Sequence, residues 1–221
     1  MDEQLRKHIS DICLKSEYNN DNHSIVKFLT STVYWGFTDS CEYNDSDVII
    51  IRKIFNEIRD LINIEFVYTD DIEDCNDPKV IIHLGNIETF KQYVNLPDVN
   101  GINGYAEWMA KNCIIYKSYV YVSNELSDLE KEIILKEEIV QSLGFTGETL
   151  NKDSIFYKHK NAIEYYNKLF DIDIYLLRLI YSDRIRPCMN MVDIERVIGG
   201  SNNKRVIIYI ILLLCIVTLL K

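Results

Sequence analysis

The sequence predicts an α+β domain followed by an apolar carboxyl-terminal run, and three observations carry that prediction. Residues 64–122 hold several short stretches rich in β-branched and aromatic side chains. On either side of them, apolar residues recur at helical spacing over residues 48–63 and 124–143. From Val206 to Leu220, fifteen residues carry no charge. A chain of 221 residues that is 48% hydrophobic and 11% aromatic has enough apolar surface for one sizeable core.

In order, residues 5–15 have helical periodicity through Leu5, Ile9, Ile12 and Cys13, and Glu17 to Ser24 is a polar linker. Ile25 to Phe37 reads as a strand. Ser46 or Asp47 caps a helix from about Val48 to Asn63, which buries Ile51, Ile54, Phe55, Ile58, Leu61 and Ile62. Strands follow at 64–69 and 79–85, separated by the acidic loop Asp70 to Pro78. Residues 86–104 form a long connection with turn signals at Pro97, Asn100-Gly101 and Asn103-Gly104. Ser118 to Val122 is the clearest strand of the next stretch, and it leads into a helix from near Asn124. Ser127 with Glu130 fits a capping box there, and Ser123 or Asn124 serves equally as cap. Gly144 or Gly147 ends that helix.

The helix carries the chemistry. Its apolar stripe is Leu126, Ile133, Ile134 and Val140 at 100° per residue, and Glu137 and Gln141 fall inside it, with Glu138 alongside. Polar groups on a core face need partners or a task. Zincin metallopeptidases carry H-E-x-x-H on a helix: the two His bind zinc and the Glu activates water. Glu137, Glu138 and Gln141 stand at those three positions, followed by Ser142-Leu143-Gly144-Phe145. The chain resembles a zincin with the general-base position kept at Glu138 and both ligand positions, Glu137 and Gln141, changed.

It is also similar to an uncharacterised bacterial family, mostly envelope-associated, with an E-E-x-x-Q-x-L-G helix. That family's further pieces match Ser154-Ile155-Phe156-Tyr157, Asp173, Leu176-Leu177, Tyr181 and Arg186-Pro187-Cys188-Met189. The likeness spans roughly residues 30–190. It implies a zincin-like fold: a twisted mixed sheet packed on two long helices, then a helical carboxyl-terminal part. It implies no zinc, since neither ligand position is His, Gly147 stands where a third His would fall, and no Met lies between Gly147 and Asp173.

Charge narrows the partners. The chain carries a net charge of −10, and residues 1–203 hold 21 basic and 34 acidic groups. Such a surface repels phosphate backbones, so nucleic acid is excluded. Six cysteines (13, 41, 75, 113, 188, 215) form no C-x-x-C pair, and setting aside Cys215 leaves an odd number, which suggests reduced thiols. Met1-Asp2-Glu3-Gln4 does not open a signal peptide. The run 206–220, behind the linker 199–205 and Lys204-Arg205, reads as a single transmembrane tail anchor with the domain facing the cytosol. The domain organisation is therefore 1–24 helix and linker, 25–198 zincin-like domain, 199–205 linker and 206–220 span.

The functional expectation is a catalytically degenerate zincin-like protein on a membrane, acting by binding or scaffolding, with a protein or peptide partner in its cleft and no cofactor. One rival is a membrane-tethered metallopeptidase whose zinc is held by Glu137 with His83 or His159. Another is an all-α tail-anchored regulator, which the β-rich run from residue 64 to 122 opposes. The scattered histidines 8, 23, 83 and 159 suggest no Ser-His-Asp or Cys-His arrangement. The run Thr69 to Asp74 lacks the glycine and closing Glu of a calcium loop.

Overall fold

The computed structural model describes residues 1, 3–15, 24–93, 102–157 and 168–199. Its centre is a five-stranded sheet: β1 Thr32–Phe37, β2 Glu65–Tyr68, β3 Lys79–Gly85, β4 Gly104–Lys111 and β5 Ile114–Ser123, in the order β2-β1-β3-β5-β4. The first four strands of that row run parallel, and β4 alone is antiparallel to its neighbour β5. Helices α1 Glu3–Cys13, α2 Asp45–Ile62, the short α3 Ile87–Phe90, α4 Asp128–Gln141 and α5 Asp171–Ile180 complete the fold, with a last helix, α6, over residues 191–199.

Alternation along the strands sorts the side chains between two faces. Val33, Trp35 and Phe37 of β1, Val80, Ile82 and Leu84 of β3, and Val120 and Val122 of β5 enter the main core, where they meet Ile51, Ile54, Phe55 and Ile58 of α2 and Leu135 and Ile139 of α4. Ile9 and Ile12 of α1 join the same core, and the Gly147 amide donates to the Ile12 carbonyl at 3.0 Å. The opposite face carries Ile81, Tyr105, Tyr119 and Tyr121 under Ile72 and Phe90. Lys79 ties down the loop bearing Ile72: its buried ammonium donates to the carbonyls of Ile72, Glu73 and Cys75.

Local chemistry moved several boundaries. The strand expected over 25–37 begins as an isolated bridge, Lys27 to Ile114, and becomes regular only at Thr32. Asn44, not Ser46 or Asp47, caps α2; its side chain accepts from the Ser46 and Asp47 amides, and Asp47 returns a bond to the Asn44 amide. Ser127 and Glu130 do form the capping box of α4. β4 and β5 close a two-residue hairpin at Asn112-Cys113, both in the left-handed region at φ 53° and 60°.

Two expectations are corrected. The all-α alternative fails against the five-stranded sheet. The fold class, read as a zincin-like domain plus a transmembrane helix, reduces to an α+β domain with a mixed sheet. Among the described residues no helix is long and apolar enough to cross a membrane. Even α2, at 18 residues, is interrupted by Asp45, Asp47, Arg52, Lys53, Glu57, Arg59 and Asp60. The run 206–220, on which the tail anchor, the membrane partner and the cytosol-facing single-pass placement rested, lies outside the described residues.

Candidate functional site

Glu138 sits where α4 passes beneath the edge strand β4. It is 7% exposed, and a Cβ added to Gly104, the first residue of β4, would come within 2.6 Å of Oε1 and 2.9 Å of Cγ. Gly104 lacks a side chain, and that lets strand backbone and carboxylate approach this closely. Gln141, one turn on, is buried as well, and Glu137 is half-buried. Residues three and four apart are neighbours on a helix surface, so the three occupy adjoining rows of α4.

The stripe expected to enclose them is rotated. Leu135, Ile139 and Val140 are the fully buried apolar residues of α4, whereas Leu126, Ile133 and Ile134 are half-buried. Charge pairs against α2 set this orientation. Lys131 reaches Asp47 at 3.2 Å, Lys136 reaches Glu57 at 2.9 Å, and Lys53 of α2 reaches Glu132 at 2.9 Å. Lys136 is 3% exposed, so its stem packs as an apolar residue while its head is paired.

Zinc, the metal of the resembling peptidases, does not fit this helix. A zinc site takes nitrogen or sulfur donors with at most one or two carboxylates in tight geometry; here the two ligand positions offer a half-buried carboxylate and an amide. Among the described residues no group of three or more His, Cys, Asp or Glu is placed to hold a metal ion. His83, proposed to join Glu137, points to the other face of the sheet, since its neighbours Ile82 and Leu84 fill the face that α4 covers. His159 lies outside the described residues.

His83 has a structural task instead. It is fully buried; Nδ1 lies 2.7 Å from Thr38 Oγ1 and Nε2 lies 2.9 Å from Thr89 Oγ1. The Thr89 hydroxyl already donates to the Asn86 carbonyl, so it accepts from Nε2–H, and Nδ1 accepts from Thr38. Burial lowers the pKa of this imidazole, against the opposing pull of the Asn86 backbone and Glu42.

The other motif residues are mostly joints. Asp173, 1% exposed, accepts from Ser154 Oγ at 2.7 Å, the Ile155 amide at 3.0 Å and the Phe170 amide at 3.2 Å, so it fastens the Ser154–Tyr157 segment to the start of α5. Tyr181, at the end of α5, donates to the Leu143 carbonyl at 2.8 Å and accepts from the Phe28 amide at 3.3 Å. Gly144 has φ +103° and lies against the Val26 carbonyl, a place no side chain can take. Cys188 donates its amide to Ile25, whose own amide donates to Met189, both at 2.8 Å.

Cys188 also forms a disulfide with Cys113, 75 residues earlier, which overturns the expectation of reduced thiols throughout. Counting cysteines by parity fails because Cys13, Cys41 and Cys75 stay free, so an odd total hides one bridge. Two further features had no sequence signal. Lys27, 4% exposed, donates to the carbonyls of Ile180 at 2.9 Å, Ser182 at 3.4 Å and Ile185 at 2.6 Å, which neutralises the negative end of α5. Beside it a groove of about 870 Å³ runs between residues 27–31, 61–64 and 178–187.

No curated protein matches the chain. A family model does, over residues 2–199, and its description is a protein of unknown function, DUF2927. That match takes in the edge strand, α4, and the Asp173, Tyr181 and Cys188 joints described above, and by it the chain belongs to the DUF2927 family.

Proposed function

We propose that this chain is a catalytically degenerate zincin-like domain that acts by binding, holding an extended segment of a protein partner along β4. The observation that carries the reading is the pairing of β4 with α4. β4 is the antiparallel edge strand of the sheet, and the buried Glu138 packs under its first residue with Gln141 and Glu137 at the positions of metal ligands. An edge strand offers a row of backbone donors and acceptors to an incoming peptide. The bulge between Met109 and Ala110 ends the regular stretch, so the usable edge is Gly104 to Met109. Carboxylate and amide in place of two imidazoles leave no means to polarise a scissile carbonyl, and a bound peptide is held rather than cut.

The test uses the purified chain and a library of random decapeptides displayed on beads. The bound peptides are resynthesised with N-methyl groups on alternate backbone nitrogens and then incubated with the protein, with and without chelator. Binding abolished by N-methylation, with intact peptides recovered, is the expected result. Chelator-sensitive cleavage would restore the peptidase reading, and binding indifferent to N-methylation would rule out strand addition.

A further inference from the structure

The groove at the other end of the sheet carries charge that has no partner among the described residues. Seven arginines fall among the described residues, and five have partners. Arg6 pairs with Glu195, Arg59 with Asp60 and Glu65, and Arg196 with Asp193; Arg184 donates to the Val197 carbonyl, and Arg52 stacks over Tyr68. The remaining two, Arg178 and Arg186, are both exposed and both line this groove, and neither guanidinium has a partner among the described residues.

Neither is needed to complete the end of α5. The Leu177 carbonyl takes the Tyr181 amide, Leu179 takes the amide and hydroxyl of Ser182, and Ile180 takes Lys27. The buried ammonium of Lys27 sets off the helix end, and Asp183 is the one acid in the lining, against Arg178 and Arg186. With two arginines against one acid, and no guanidinium partner among the described residues, the groove is net positive in a chain of net charge −10. Between them the wall is apolar: Leu29 is 61% exposed, half-buried Leu61 and Pro187 continue the surface, and buried Ile64 lies at its base. Residues 28–31 and 62–64 precede β1 and β2, so the groove lies at the amino-terminal ends of the parallel strands. Glu138 lies at the opposite end, since Gly104 pairs with Val122 near the end of β5.

We propose that this groove is a second binding site, for a short acidic peptide segment of a partner protein. Carboxylates meet the forks of Arg178 and Arg186, which suit that group in pairs of parallel hydrogen bonds. An apolar side chain between them covers Leu29 and Leu61. Thr30, Ser31 and Asn63, also in the lining, supply polar groups for the peptide backbone. A volume of about 870 Å³ is far more than a lone inorganic anion fills. A polyphosphate backbone is disfavoured by the acidity of the rest of the surface.

The test measures fluorescence anisotropy of two labelled hexapeptides on the full chain: Gly-Asp-Leu-Leu-Glu-Gly and its Asn/Gln counterpart. The acidic probe should bind saturably, weaken as salt rises and lose affinity by about tenfold or more in the Arg178→Gln/Arg186→Gln variant. Arg52→Gln, an arginine outside the groove, should leave binding unchanged. Both groove arginines are exposed and have no partner among the described residues, so the double variant should keep the parent melting temperature. Equal binding to the double variant, equal binding of the neutral probe, or no saturable binding of the acidic probe would each overturn the proposal. Displacement by inorganic phosphate at the peptide's own concentration would reduce the groove to a simple anion pocket and overturn the peptide assignment.

Discussion

The Cys113–Cys188 bridge closes a loop of 75 residues, and its removal should be among the costliest conservative changes in the chain. In the chain-entropy model a loop of that length restricts the unfolded state by about 4.5 kcal/mol at 25 °C, and measured bridges commonly yield 2–4 kcal/mol. The folded side should change little in the Cys113→Ser/Cys188→Ser variant. The backbone joint persists through Cys188 to Ile25, Ile25 to Met189, Lys27 to Cys113 and Ile115 to Lys27. Urea unfolding should therefore shift its midpoint down by roughly 1–2 M, with the far-ultraviolet spectrum of the folded protein unchanged. Reductant should reproduce that shift in the parent and do nothing to the variant, and thiol titration in denaturant should find two more thiols in the parent after reduction. A parent indifferent to reductant, or a variant with the parental midpoint, would refute the argument.

Three other outcomes follow from buried groups. His8 is 3% exposed, and burial lowers its pKa from 6.5 to about 4 despite Asp11 nearby. The unfolded chain therefore binds the proton more readily, and the stability this residue contributes is whole above pH 6.5 and lost as the pH falls toward 4. That drop amounts to at most ~3 kcal/mol, or about half once solvent screening is allowed; melting curves from pH 8 to 4.5 should fall less steeply in His8→Leu. Asp173→Ala leaves the Ser154 hydroxyl and the Ile155 and Phe170 amides without their acceptor. A loss of roughly 3 kcal/mol should appear with faster hydrogen exchange at residues 154–157, and unchanged exchange there would contradict the joint. Gly144→Ala places a Cβ on the Val26 carbonyl at a φ of +103°, so it should cost at least about 3 kcal/mol or abolish soluble expression; a parental melting temperature would sink that account.

Much of the fold was legible because its signals are local. β3, from Lys79 to Gly85, stands as read, since an apolar run bounded by Pro78 and Gly85 leaves little choice. The capping box of Ser127 and Glu130 is likewise written in four residues. β4 was harder to read. Its hairpin turns on Asn112-Cys113 without a glycine, and Cys113 holds a left-handed conformation within a joint completed by residue 188. The rotation of α4 was hidden for a similar reason. Hydrophobic periodicity counts Lys136 as polar, but Glu57, 79 residues away, pairs its ammonium and lets the stem pack inward. Lys27 escaped notice because its three acceptors lie beyond residue 179.

The motif pieces that looked like remnants of a catalytic site divide by what they touch. Asp173, Tyr181, Gly144 and Cys188 each fasten one segment to another distant in sequence, so a chain with no catalytic task would need them for its fold alone. Their presence is therefore no argument for peptidase chemistry. Glu138 stands on different ground. A carboxylate 7% exposed beneath an edge strand needs partners to stay buried, whereas an apolar residue of similar length would pack against Gly104 without them. Glu138→Gln separates the two uses of the position. It preserves shape, keeps one acceptor oxygen and removes the charge, so it should leave the proposed peptide binding along β4 intact if the residue shapes the cleft. It should abolish binding if the charge itself meets the partner.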